Sequence, residues 1–89
     1  MRHARSQDLD RLEALLETLR ALPELKEKSR GVFYRGSKSF LHFHEDATLL
    51  FADLRSDDDF ARFPVNTETQ RRAFLKAVRG SLRSADPTG

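Results

Sequence analysis

The sequence predicts an α+β fold: a two-layer sandwich in the order α-β-β-β-β-α, with a four-stranded antiparallel meander and both helices on one sheet face. Three observations predict it. Leucines recur at three- and four-residue steps before Pro23, apolar and polar residues alternate between Gly31 and Val65, and a second helical stripe follows Thr67. With 89 residues, 38% of them hydrophobic and 34% charged, the chain reads as a single domain, 1–89. Its ordered core is expected over residues 6–83, followed by a short, polar, flexible tail over 84–89.

The first helix follows from Leu9, Leu12, Leu15, Leu16, Leu19 and Leu22, which share one face, while Glu13, Glu17 and Arg20 take the solvated one. Ser6 or Asp8 is the expected N-cap. Pro23 lacks the amide hydrogen that would continue the helix, so it should open a short turn over Pro23 to Lys28.

From Gly31 the period changes to two. Gly36-Ser37 reads as a two-residue turn that opposes Val32 to Leu41 and Phe33 to Phe40. Asp46-Ala47 would close a second hairpin, opposing Phe43 to Leu50 and His42 to Phe51. Ser56 to Asp59 would close a third, opposing Asp53 to Arg62 and Ala52 to Phe63. Pro64 cannot donate to a ladder and fits an edge strand. The three registers agree on an inward face without charge: Val32, Tyr34, Leu41, Phe43, Leu50, Ala52, Leu54, Ala61, Phe63 and Val65. Thr67 and Gln70 form a capping box for a last helix reaching Arg83, whose stripe is Phe74, Leu75, Val78 and Leu82.

The opposite sheet face carries the candidate binding residues Phe33, Phe40, His42, His44, Phe51, Asp53 and Arg62. Outward positions of an antiparallel sheet are normally polar, and contiguous exposed aromatics mark a partner. The leading expectation is therefore a non-enzymatic protein-interaction or homodimerisation module that uses this face. The first alternative is a metal site, zinc above all, on the pair His42-x-His44, because residues i and i+2 of a strand project to the same side. A third ligand is not evident. Glu45 should point to the other face, Asp53 is expected to pair with Arg62, and His3 lies on a loose terminus.

The second alternative is nucleic acid, with phosphates tracked by the stripe Arg72, Lys76, Arg79 and Arg83 at steps of four, three and four. That stripe is expected on the helical layer, behind the aromatic face, so stacking and phosphate contacts would not combine. No catalytic motif is legible. No serine stands in a nucleophile elbow, Gly36-Ser37-Lys38 is too short for a phosphate loop, and Asp57, Asp58 and Asp59 lack the alternating ligands of a calcium loop. No cofactor is expected apart from the zinc alternative.

Charge and composition narrow the rest. The net charge of +2 divides into +1 up to Arg30, −2 from Gly31 to Asn66 and +3 beyond. Such a weak basic bias permits a nucleic-acid partner without requiring one. The absence of cysteine excludes disulfides, thiolate ligands and a cysteine nucleophile. No run approaches the roughly 20 apolar residues that span a bilayer, so no membrane partner is expected and the cytoplasm is the expected location.

Overall fold

In a computed structural model, which describes residues 2–84, the chain is α+β around an antiparallel sheet. The described elements are β1 (Arg2–His3), α1 (Ser6–Asp10), α2 (Glu13–Arg20), β2 (Lys26–Ser29), β3 (Val32–Arg35), β4 (Lys38–Asp46), β5 (Leu49–Ser56), β6 (Asp59–Pro64) and α3 (Glu68–Ser84). The strands from β2 to β6 lie in sequence order, which is the expected meander enlarged by one strand. β1 adds to β4 off that path. Of the expected tail, Ser84 belongs to α3, and 85–89 lie outside the described residues.

The first helix is divided. α1 stops at Asp10, and α2 restarts after Leu12, whose φ of −110° and ψ of 13° leave the helical range. The leucine stripe survives the break, since Leu9, Leu12, Leu15, Leu16 and Leu19 are all buried. The cap of α1 is Arg5, whose amide donates to Asp8 Oδ2 at 2.9 Å, so Asp8 works as the acceptor within the first turn and neither Ser6 nor Asp8 is the cap itself.

The segment read as a turn after Pro23 contains β2. Its sequence Lys-Glu-Lys-Ser has no apolar residue and therefore no period-two signal, yet Lys26 pairs with Tyr34 and Glu27 with Phe33. Glu27 anchors it by accepting from Arg20 and from the Gly31 amide. Gly31 closes the turn at φ +79°, where a Cβ would lie 2.9 Å from a Leu9 methyl.

Two registers differ from the turn-based reading. In the β3–β4 hairpin Arg35 opposes Lys38 as expected, but Phe33 opposes Leu41, leaving Phe40 as the extra residue of a β-bulge. This turns β3 over beyond the bulge. Phe33 enters the core fully buried, and Arg35 reaches the Leu82 carbonyl at the end of α3 at 3.5 Å, while Tyr34 lies under Lys28 Nζ at 5.1 Å. In the β4–β5 hairpin the turn is Ala47-Thr48, so Phe43 opposes Ala52 and His42 opposes Asp53. The shift is two residues and preserves which side chains face inward. The β5–β6 register follows expectation, with Asp53 opposite Arg62 and Ala52 opposite Phe63.

The turn evidence misled in the second hairpin because Ala47 accepts a left-handed φ of +58°. That conformation costs an L-residue roughly 1–2 kcal/mol, so turn preference alone disfavours it. The capping box of α3 is present: the Gln70 amide donates to Thr67 Oγ1 at 3.1 Å, and the Thr67 amide donates to Gln70 Oε1 at 3.2 Å. Phe74 meets Phe43 and Phe63 at ring-centroid distances of 6.2 and 5.6 Å. Phe40, Leu41, Leu50, Leu54, Val65, Val78 and Leu82 complete a continuous core with the leucines of α1 and α2. Ala61, expected inside, is exposed.

The buried position of Phe33 has a measurable consequence. Phe33→Ala should destabilise the domain by about 3–5 kcal/mol in denaturant unfolding, whereas the exposed position required by the unbulged register would keep the loss under ~1 kcal/mol.

Candidate metal centre

Residues on the outward face of the β4–β5–β6 sheet are His42 and His44 from β4, Phe51, Asp53 and Arg55 from β5, and Phe60 and Arg62 from β6. The period of two aligns the histidines, and the two-residue shift of the hairpin sets Asp53 directly opposite His42. Without that shift Phe51 would occupy its place. Cross-strand neighbours lie within about 5 Å at Cβ, close enough for short polar side chains to meet.

Asp53 is the hub. Its buried carboxylate accepts from Arg62 Nε at 2.8 Å and from Arg62 Nη2 at 3.0 Å, and its Oδ2 lies 3.0 Å from His44 Nε2. His42 Nδ1 lies 4.0 Å from the same oxygen, too far for a hydrogen bond. That nitrogen is buried and has no hydrogen-bond partner among the described residues. One donor atom from each of His42, His44 and Asp53 lies within 4.8 Å of the other two.

The electrostatics separate the two charge types. Burial, reinforced by the neighbouring His44, holds the His42 imidazole below its usual range and so favours its neutral, ligating form. Burial works against the charge of Asp53, but the Arg62 hydrogen bonds and the electrostatic influence of the neighbouring His44 outweigh it and keep the carboxyl below its usual range. Neutral imidazole nitrogen beside a fixed carboxylate is the donor set that borderline divalent cations prefer.

Apolar groups frame the centre. The His42 ring lies 4.9 Å from the Phe60 ring, and the Arg55 guanidinium lies over the Phe60 ring at 4.8 Å from its centroid. β1 adds a residue that the sequence had left on a loose terminus: His3 pairs with His44, and its ring lies 5.0 Å from His44 and 5.9 Å from His42. All three histidines of the chain therefore converge on one patch.

The remaining candidates separate. Phe33 and Phe40 belong to the core, so the expected exposed aromatic face reduces to half-buried Phe51 with exposed Phe60 and Leu49. Arg72, Lys76, Arg79 and Arg83 form an exposed stripe on α3, where Arg72 pairs with Glu68. Because Phe74 of the same helix packs against Phe43 and Phe63, whose strand positions alternate with His42 and Arg62, this stripe is not joined to the histidine patch. The acidic run Asp57, Asp58 and Asp59 at the third hairpin turn is exposed, with Asp57 at φ +57°.

Comparison of the chain with protein-family models, curated proteins and solved structures finds no match. No helix among the described residues is long and apolar enough to cross a membrane.

The lowered His42 value sets the sign of a pH effect. A depressed imidazole value means that neutral His42 contributes stability above the unfolded-state value near ~6.5, and that this contribution disappears as pH falls through the lower folded-state value. Thermal melts of the metal-free protein should therefore drop below about pH 6.5, and His42→Leu should flatten that limb. Asp53 loses its own contribution further down, below about pH 4.

Proposed function

We propose that this chain is a small non-enzymatic domain that binds a divalent cation of the zinc class through His42, His44 and Asp53. The observation that carries the reading is the buried Nδ1 of His42, unpartnered among the described residues and 4.0 Å from a carboxylate oxygen that also touches His44. A purely ion-paired network accounts for Asp53, Arg62 and His44 but leaves that nitrogen desolvated without compensation, which costs about 1–3 kcal/mol. A cation bound between the three donors satisfies it.

Distances support the same reading. Zinc binds imidazole nitrogen at about 2.0–2.1 Å, so tetrahedral ligands lie about 3.4 Å apart. The separations of 3.0 and 4.0 Å bracket that value. Binding would take the place of the His44 Nε2–Asp53 Oδ2 contact, and Arg62 would remain on the carboxylate as the outer partner that fixes its orientation.

The interaction reading keeps a narrower footing, on Leu49, Phe51 and Phe60 at the border of the same patch. A homodimer or protein partner would cover those residues, and the cation site does not depend on it. A cytoplasmic setting belongs to the same proposal, resting on a cysteine-free domain whose core is closed by packing alone.

Zinc added to metal-free protein should shift the ring resonances of His42 and His44 together. His42→Ala and His44→Ala should each lower affinity by about 100-fold or more, and Arg62→Ala by roughly 10-fold, as expected for an outer partner. Saturating zinc that leaves both rings unshifted would sink the reading.

A further inference from the structure

We propose that His3 is the fourth ligand of this centre, so that cation binding closes the coordination sphere and fastens β1 to the sheet. The inference rests on the metal reading above and specifies its ligand set and its mechanical consequence.

β1 is a two-residue strand, opposing Arg2 to Glu45 and His3 to His44, with the following Ala4 amide donating to the Phe43 carbonyl at 3.1 Å. So few backbone hydrogen bonds stabilise a strand only marginally, and a strand this short opens readily. Its His3 side chain stands over the candidate centre. The three imidazole centroids are separated by 4.8, 5.0 and 5.9 Å. Three imidazoles on one tetrahedral zinc ion have centroids about 5 Å apart, because each ring centre lies just over 3 Å from the metal.

The His3 ring is exposed and stacks on His44 with an interplanar angle of 27°, so it comes to the ion by side-chain rotation, with its backbone already in place. Three imidazoles and one carboxylate make a closed four-ligand sphere, the arrangement of a structural site, whereas three ligands would leave a position for water and chemistry. Coupling is reciprocal: whatever His3 adds to cation affinity, the cation adds to the docking of β1.

The test uses the whole chain, stripped of metal and titrated with zinc alone. Two readouts are followed, zinc affinity and hydrogen exchange of the Ala4 amide. His3→Gln, which cannot replace the imidazole at a surface position, should weaken zinc binding by roughly 5–150-fold, the usual range of such coupling. Zinc should slow Ala4 exchange in the wild type and leave it unchanged in His3→Gln. Equal affinity of the two proteins, with Ala4 exchange indifferent to zinc, overturns the His3 inference while the three-ligand reading stands. A wild-type chain that takes up no zinc, or a His42→Ala variant that holds it equally well, overturns both.

Discussion

β4 is the strand against which the rest of the sheet is registered. It pairs with β3 and β1 on one side and with β5 on the other, so its own alternation decides which residues enter the core and which gather outside. Leu41 and Phe43 face inward, His42 and His44 face outward, and the bulge at Phe40 lets β3 deliver Phe33 to the same core without shifting that alternation. A regular β3–β4 ladder would leave Phe33 outside and bring Tyr34 in. Burial of the larger apolar surface explains why the bulge wins.

The outward residues form a polar cluster in an unusually apolar setting. Asp53 is buried, and a buried carboxylate persists only when its charge is compensated and its lone pairs are used. Arg62 supplies two donors while remaining partly in water, which is the cheaper way to neutralise a buried acid. His44 supplies a third contact. The surplus is His42 Nδ1, and it is this imbalance, rather than the presence of histidine, that distinguishes a candidate cation site from an ordinary ion-paired surface.

Elsewhere, charge serves the scaffold. Arg20 joins Glu13 and Glu27, and Arg30 joins Asp10, Glu13 and the Ser6 carbonyl, tying the split N-terminal helix to the polar strand β2. The hydrogen bonds of Arg30 and Arg20 hold the Glu13 carboxyl below its usual range, and Arg20 does the same for Glu27. Most of these side chains are well exposed, so each pair contributes little on its own. Their value is geometric, because β2 has no apolar side chain with which to find its place.

The sequence by itself determined the α+β class, the leucine stripe of the first helical region, the capping box of α3 and the Asp53–Arg62 pairing. Each of these rests on a local period or on turn chemistry within a few residues. It also placed His42 and His44 on one side of one strand, since that follows from period two alone. Tertiary structure decided the rest. The break between α1 and α2, the all-polar β2 and the bulge at Phe40 are local costs accepted to complete a shared core, and no local rule registers that exchange. The same holds for the third and fourth members of the histidine patch. Asp53 comes opposite His42 only after a two-residue shift that turn preference opposed, and His3 arrives through strand pairing with residues more than forty positions away. Contacts of that range are fixed by what the whole sheet buries, which a reading of neighbouring residues cannot contain.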